Sequence, residues 1–288
     1  MTSAPVHLTG PAEDTRHAYG PTLNALRDAV ARSADLWRRI DKPDAPAPGL
    51  RWTAAETAAH VVGDLRDYTQ ALTRHANGYM THANRPTESP SRLSAQVNAR
   101  HLEEVPERNL HRLADMLEYS ADAYLNVAVN VDPSVDIATP NGLVIAPCTM
   151  AALLLGEQVI HGLDISRAAT TPRIRWTIPA ADALMVIPGV LTVAPQYLHP
   201  RRAAGVHVSF ELRMRGGASY RMAVDNGTAV VTAPGERADC TITADPVAFL
   251  LLGYGRISQL SPVLRGQLRA GGRKPWLAMK FGRLISSP

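Results

Sequence analysis

Features typical of secreted and membrane-anchored proteins are missing from this 288-residue chain. Its two cysteines, Cys148 and Cys240, lie far apart and form no C-x-x-C pair, which excludes a disulfide framework and a cysteine-rich metal cluster. The N-terminus has no basic stretch followed by an apolar core, and no run of about 18 apolar residues occurs. We therefore expect a cytoplasmic protein without a membrane span, in which both thiols are buried.

Lysine is scarce as well, a bias towards arginine that is typical of a GC-rich coding genome. Of the 30 basic residues, the only lysines are Lys42, Lys274 and Lys280. The formal net charge is only +4, and aromatic residues make up 5% of the chain. They do not interleave with the local basic clusters, such as Arg265, Arg269, Arg273 and Lys274. We interpret these clusters as solvated surface and predict no nucleic-acid partner.

The length and an ordinary globular composition predict two domains, of which the first is helical. We predict a flexible lead-in over residues 1–20 and a bundle of four long helices over residues 21–170. Thr53 and Glu56 make a capping box at the start of the second helix. Helical segments follow from Arg92 to about Ala128, with a break near Val105–Pro106.

The second half of the sequence changes to strand patterns. We predict a linker with an apolar packing helix over residues 171–202 and a small α+β domain over residues 203–288. Its predicted strands are "VHVSFELRMR", "SYRMAV", "TAVVTA" and "ADCTITA", the first three separated by the hairpin signals "GGA" and "DNG". Asp245 and Pro246 then open a short helix.

Three ionisable residues share one face of an apolar helix in "GEQVIHGLDISRA": Glu157, His161 and Asp164. Buried charges need partners or a cation, but on this stretch alone an i,i+4 Glu–His pair is the preferred interpretation. His60 is equally consistent with a metal ligand and with a solvated acidic face that includes Glu56, Asp64 and Asp67. The remaining histidines are assigned to exposed helices or loops: His7, His17, His75, His82, His101, His111, His199 and His207.

Taken together, "RWTAAETAAHVV" and, about a hundred residues later, "GEQVIHGLDISRA" resemble the paired signature of the mycothiol-dependent maleylpyruvate isomerase family. The similarity spans about residues 20–170 and implies a DinB-like four-helix bundle in which His60, Glu157 and His161 hold a metal. "ADCTITADPVAFLLLGYGRIS" and "LRGQLRAGG" resemble the sterol carrier protein type two domain, which implies an apolar tunnel and a possible apolar ligand.

Two imidazoles and one carboxylate form an open catalytic zinc site, although iron(II), nickel or cobalt also accept this set. We expect zinc. The resemblance implies mycothiol as thiol co-substrate and an isomerase or S-transferase in which metal-bound thiolate attacks a small electrophilic substrate. Two alternative functions stay open: a non-enzymatic lipid or apolar-ligand binder that uses the C-terminal domain, and a metalloenzyme of the bundle class that uses another thiol or a hydrolytic water.

The roles of three further residues stay open at this point. Asp164 either orients a metal ligand or makes a local hydrogen bond. Arg92 and Arg100 lie where the resemblance implies an arginine for an acidic substrate, and neither is preferred.

Overall fold

The computed structural model describes residues 10–79, 90–169 and 174–285. The N-terminal half is helical, interrupted by two short paired strands, β1 (Ile137–Ala138) and β2 (Val144–Ile145). Its helices are α1 (Pro11–His17), α2 (Tyr19–Arg38), α3 (Ala54–Ala76), α4 (Pro90–Glu104), α5 (Leu110–Ala128) and α6 (Pro147–Ala168).

The four longest helices form the bundle, in which each of α2, α3, α5 and α6 packs against two of the others. The apolar stripe of α3 is buried and consists of Val61, Leu65, Tyr68 and Leu72, and the capping box between Thr53 and Glu56 opens this helix. Asn109 caps α5 with its side-chain oxygen, and Pro147 stands in the first turn of α6. Helix α4 ends just before Val105 and packs against α3.

The start of the chain differs from the predicted flexible lead-in over residues 1–20. Residues 1–9 lie outside the described residues, but α1 is helical, and its residues Pro11 and Thr15 are buried. The Tyr220 hydroxyl donates to Asp14 at 2.6 Å, which ties α1 to the second half of the chain. The sequence gives little sign of this, because such a short helix draws its stability from tertiary contacts.

The second half contains a five-stranded sheet in the order β5-β4-β3-β6-β7. Its strands are β3 (His207–Met214), β4 (Ser219–Asp225), β5 (Thr228–Thr232), β6 (Cys240–Ala244) and β7 (Leu268–Gly271). Strands β3 and β6 pair in parallel, and all other neighbours are antiparallel. Both predicted hairpins form, and the second turns at Asn226 and Gly227, which have positive φ. Strand β7 was not among the predicted strands.

Helices pack with this sheet and connect it to the bundle. They are α7 (Ala180–Val193), α8 (Pro200–Ala203), α9 (Pro246–Gly253), α10 (Leu260–Leu264) and α11 (Ala278–Leu284). Two 3-10 turns, Ala194–Tyr197 and Pro275–Leu277, precede α8 and α11. Helix α7 packs on α6 and on α9, so that a shared apolar core joins the two halves. No helix within the described ranges has both the length and the apolar character needed to cross a bilayer.

Candidate metal centre

Two helices of the bundle bring together the three residues that the motifs single out. His60 comes from α3, while Glu157 and His161 lie one turn apart on α6. Their ligand atoms all lie within 4.8 Å of one another. Glu157 Oε2 is 3.0 Å from His161 Nε2 and 3.4 Å from His60 Nε2. The same nitrogen of each ring therefore faces one carboxylate oxygen.

The ring of His161 is held at its other nitrogen by Asp164. His161 Nδ1 lies 3.0 Å from Asp164 Oδ2, and the Asp164 side chain is completely buried. Arg256, which follows α9, donates to the same carboxylate from Nη2 at 2.7 Å and from Nε at 3.0 Å. A hydrogen on Nδ1 of His161 satisfies Asp164, while Nε2 faces Glu157 and can bind a cation once it gives up its own proton.

The ring of His60 is held by a longer chain of contacts. His60 Nδ1 lies 3.2 Å from His101 Nδ1, and His101 Nε2 lies 3.0 Å from Asp67 Oδ2. Asp67 in turn accepts a hydrogen bond from Arg100. If His101 donates from Nε2 to Asp67, its Nδ1 accepts the hydrogen of His60 Nδ1, and Nε2 of His60 is free to bind a cation. The contacts behind both rings thus end in an aspartate paired with an arginine.

The assignment of His101 to an exposed position was wrong. Its side chain is fully buried where α4 meets α3, with its ring centroid 5.4 Å from that of His60. Gly63 makes this approach possible, because a Cβ at this position would collide with the Cβ and ring of His101. The contact joins two separate helices, and the loop between them has no fixed register in the sequence, so no local pattern could have indicated it.

Trp52 also packs against His60, with ring centroids 5.0 Å apart. The tryptophan stands directly before Thr53, the residue that caps α3, so the cap fixes its position relative to the first turns of the helix. Glu56 belongs to that cap and accepts hydrogen bonds from the Thr53 backbone and hydroxyl. It is therefore engaged at the helix start, whereas Asp64 and Asp67 are the acids that contact the histidines.

Asp64 supplies a second carboxylate near the His60 ring. Its Oδ2 lies 3.3 Å from His60 Nε2, and its Oδ1 lies 3.8 Å from His101 Nδ1. His60, Asp64 and His101 form a second group whose ligand atoms lie within 4.8 Å of one another. Burial raises the pKa of Asp64, although the charge of His60 opposes this effect. Because both groups use His60, they describe two neighbouring positions for a cation.

The charges of the site are strongly coupled. Burial raises the pKa of Glu157, but hydrogen bonds from His161 and His60 outweigh it and hold the pKa below its usual range. Burial lowers the pKa of His161, yet hydrogen bonds to Asp164 and Glu157 raise it to about 9. The carboxylate of Glu157 is thus ionised at neutral pH, and positive charge beside it is favoured.

Three tyrosines from different parts of the chain lie near these charges. Tyr68 is on α3, Tyr197 ends the 3-10 turn after α7, and Tyr254 follows α9. Burial raises the pKa of each hydroxyl, and the charge of Glu157 raises it further. All three hydroxyls are therefore protonated at neutral pH and able to donate hydrogen bonds. Gly156 admits Tyr254 to the surface of α6, because a Cβ there would lie 2.9 Å from the tyrosine oxygen.

The arginines near the site differ from those considered in the sequence. Arg100 is occupied by Asp67, and Arg92 lies on an exposed part of α4. Arg256 was missed, because 92 residues separate it from Asp164 and no short motif contains both. The cysteines stand apart from the site, and both are buried free thiols, as predicted.

Comparison with known proteins adds an independent observation. Residues 26–166 match the family model of the mycothiol maleylpyruvate isomerase N-terminal domain. The match lies within the helical half of this chain. The matched range of this chain includes His60, Glu157 and His161. The family resemblance inferred from the two motifs is thereby confirmed. Because the matching family consists of enzymes, the prediction that this protein is an enzyme is confirmed.

Solved structures extend the likeness beyond the isomerase N-terminal domain. The mycothiol-dependent maleylpyruvate isomerase and one mutant of it are 15% and 14% identical to this chain, and each match has a TM-score of 0.52. Each covers 88% of this chain and 92% of the other. At this identity the likeness establishes the fold, and the predicted helical bundle followed by an α+β domain is confirmed.

The second half gives weaker matches. Sterol Carrier Protein 2 from Yarrowia lipolytica is 20% identical over 31% of this chain and 86% of the other, with a TM-score of 0.23. That score is too low to carry an argument, so the apolar tunnel expected in this half stays a prediction. No curated protein matches the chain.

Proposed function

We propose that the protein is a metal-dependent, thiol-using enzyme, a mycothiol-dependent isomerase or S-transferase that acts on a small electrophilic substrate. The observation that carries the proposal is the convergence of His60 Nε2, Glu157 Oε2 and His161 Nε2, with the opposite nitrogen of each ring already engaged. The buried free cysteines agree with a reducing compartment, and we propose a cytoplasmic location.

The three side chains fit a divalent metal ion on two counts. Ligands about 2.0–2.1 Å from a tetrahedral zinc ion lie about 3.3 Å apart. The separations of 3.0 and 3.4 Å between Glu157 and the two histidines bracket that value. In addition, metal-bound histidines usually donate their second N–H to a carboxylate or another acceptor, which is the arrangement of His161 with Asp164.

A divalent cation held there would lower the pKa of a coordinated thiol, so that the co-substrate reacts as its thiolate. The protein's own residues would do the rest. The ionised Glu157 places negative charge beside the His60 nitrogen, and Asp64 presents a second carboxyl group there, so that a cation is favoured at this point. The protonated hydroxyls of Tyr68, Tyr197 and Tyr254 lie near this charge, where they can donate to oxygens of an acidic or carbonyl-containing substrate.

The first experiment measures the metal. Purified wild-type protein should carry about one divalent ion per chain, with zinc expected from two imidazoles and one carboxylate. His60→Ala, Glu157→Ala and His161→Ala should each lose most of it. His111→Ala is the matched control, because His111 is exposed on α5 and should be dispensable for metal binding. Full occupancy in all three site variants would disprove this ligand set.

The neighbouring group of His60, Asp64 and His101 provides a second test of the ligand set. If Glu157 is the oxygen ligand, Glu157→Gln should lose the metal while Asp64→Asn retains it. The opposite result would assign the cation to the group that contains Asp64. The amides are nearly isosteric with the acids, so that a difference between the two variants reports charge and not packing.

The second experiment identifies the co-substrate. The metal-loaded protein is assayed with mycothiol, glutathione and bacillithiol against a panel of small electrophiles, including cis-unsaturated acids. Turnover with mycothiol alone supports the proposal, and the product distinguishes isomerisation from S-transfer. A protein that shows no thiol-dependent turnover and purifies with about one apolar ligand per chain would favour the binding protein instead.

A further inference from the structure

An exposed apolar surface lies on the C-terminal domain. It is formed by five large side chains of α10 and of the segment around the start of α11, which we call the apolar patch: Leu260, Val263, Leu264, Trp276 and Met279. Leu264 is 86% exposed and Trp276 is 65% exposed. These five are half of the ten large apolar side chains found exposed in the described residues, although they come from one short part of the chain.

Contacts between α10 and α11 bring the two parts of the patch together. Gln259, the residue before Leu260, donates from Nε2 to the Ala278 carbonyl at 3.4 Å. A Cβ at Gly282 would lie 3.3 Å from the same side chain, so Gln259 rests against α11. Leu260 and Met279 each follow a residue of this contact in sequence. The other sides of the two helices are anchored by buried residues: Pro262, Ala278, Phe281 and Leu284.

Positive charge accompanies the apolar patch. Residues 246–288 contain seven basic residues and not one acidic residue. Three of the seven pair with acids elsewhere, namely Arg256, Arg273 and Lys274. The other four are exposed, and no acidic partner for them occurs within the described ranges; beside Arg269 of β7, they are Arg265, Lys280 and Arg283, which accompany the patch.

These three cations lie close to the apolar side chains along the chain. Arg265 follows Leu264, and Lys280 follows Met279. Arg283 lies four residues after Met279, on the same face of α11. Long cationic side chains in such positions can keep their charge at a polar boundary while neighbouring apolar side chains enter a less polar phase.

This charge decides between the possible occupants of the patch. A second copy of the chain joined through the same surface would bring identical patches face to face, and the cations around them would repel one another. An anionic bilayer offers both complements, since acyl chains accept leucine and tryptophan side chains and phosphates accept arginine and lysine. Tryptophan is well suited to the boundary between headgroups and acyl chains.

We propose that the apolar patch docks the protein on the surface of an anionic lipid bilayer, with Leu260, Leu264 and Trp276 inserted among the lipids. The cations that accompany the patch face the headgroups. The contact is peripheral and reversible. It is independent of the proposed metal chemistry, because the patch shares no residue with the candidate metal centre.

The test uses the full chain and vesicles of phosphatidylcholine, alone or mixed with phosphatidylglycerol. The protein should sediment with the mixed vesicles only and should be released by high salt, because salt screens the attraction to the headgroups. Leu260→Ser/Leu264→Ser should weaken binding by at least about tenfold. Tyr119→Ser/Val230→Ser is the matched control, since both residues are exposed apolar side chains elsewhere and their loss should leave binding unchanged.

A charge-reversal variant tests the contribution of the cations that accompany the apolar patch. Arg265→Glu/Lys280→Glu should abolish binding to the mixed vesicles, whereas the equal charge change in Arg27→Glu/Arg66→Glu on the bundle should not. Metal content and thermal unfolding of every variant are measured alongside, so that loss of the fold is recognised. Absence of binding by the wild type, or equal binding to both kinds of vesicle, would overturn the proposal. A wild-type dimer that Leu260→Ser/Leu264→Ser dissociates would assign the patch to a second copy instead.

Discussion

At the scale of single residues, the two candidate histidine ligands differ in how directly they are oriented. His161 contacts an aspartate itself, whereas His60 reaches its aspartate through His101. Outer-shell partners of this kind fix the tautomer and orientation of a ligand ring. The two arrangements can be compared by substitutions that leave all three proposed ligands intact.

Asp164→Asn and His101→Ala should each reduce metal affinity by about 10- to 100-fold without removing the site. An asparagine at position 164 can still accept from His161 Nδ1, but it carries no charge and leaves Arg256 without its counter-ion. Chelator competition gives the affinities, and His111→Ala again serves as the control. If both substitutions leave the affinity unchanged, Asp164 and His101 act on the fold alone.

Proton release should accompany metal binding. Burial lowers the pKa of His161, but hydrogen bonds to carboxylates outweigh this effect and raise the pKa to about 9. The metal-free ring is therefore protonated on both nitrogens at neutral pH. Binding at Nε2 must displace that proton, and metal affinity should rise with pH until the ring is already neutral. Calorimetric titrations in buffers of different ionisation heat measure the release. Heats that do not depend on the buffer would contradict a protonated His161.

The raised pKa of His161 also makes the stability of the metal-free protein depend on pH, and stability falls with rising pH whereas metal affinity increases. A histidine whose pKa is raised on folding stabilises the folded state fully below its unfolded pKa. For His161 that contribution is lost as pH rises from 6.5 through about 9. Metal-free protein should therefore become less stable over the interval in which its affinity for metal increases. Thermal unfolding in the presence of a chelator measures this trend.

At the scale of elements, the approach of α4 to α3 depends on the missing side chain of Gly63. Gly63→Ala should cost about 1–3 kcal/mol of folding free energy, because the new methyl group meets the buried His101. The usual gain from alanine in a helix, about 1 kcal/mol, acts in the other direction and does not remove the collision. Chemical denaturation measures the stability, and metal affinity should fall with it.

Gly20→Ala in α2 is the matched control for that substitution. A Cβ at Gly20 meets nothing within 4 Å, so this variant should be at least as stable as the wild type and should bind metal equally well. Equal stability of the two variants would mean that small shifts of α4 relieve the collision at Gly63.

The same elements show how far prediction from the sequence reaches. The shared face of Glu157 and His161 and the capped start of α3 are local properties of the chain, so periodicity and capping predicted both. Pairing His60 with them required the family resemblance, because nothing local relates α3 to α6. His101 and Arg256 stayed hidden for the same reason, since each acts on a residue of a distant element. Strand β7 was missed because its four residues include a glycine and lie at the edge of the sheet.

At the scale of the whole molecule, one apolar core crosses the boundary between the two halves. Leu155 and Val159 of α6 pack in one cluster with Val186 of α7 and with Leu250 of α9. Since this core belongs to both halves, neither half can unfold without exposing it. The chain should therefore unfold in a single cooperative transition, although its length allows two domains.

Leu250→Ala tests this cooperativity from the C-terminal side. Removing the buried side chain should destabilise the protein by about 2–5 kcal/mol and lower the unfolding midpoint of both halves together. Calorimetry gives the number of transitions, and amide hydrogen exchange in α5 and in β4 reports the two halves separately. Leu260→Ala, at an exposed position of the same domain, should leave the midpoint unchanged. Two well-separated transitions would refute a common core.

The ion pair between Asp164 and Arg256 also limits how parts of such proteins can be exchanged. A chimera that joins this bundle to another C-terminal domain would leave the buried carboxylate of Asp164 with His161 as its remaining partner, unless the incoming domain presents an arginine at the same point. Because removing one partner of a buried ion pair costs about 3–5 kcal/mol, recombination between relatives should keep these two residues together or lose both. Successful domain shuffling in this lineage therefore requires matched partners on the two sides of the junction.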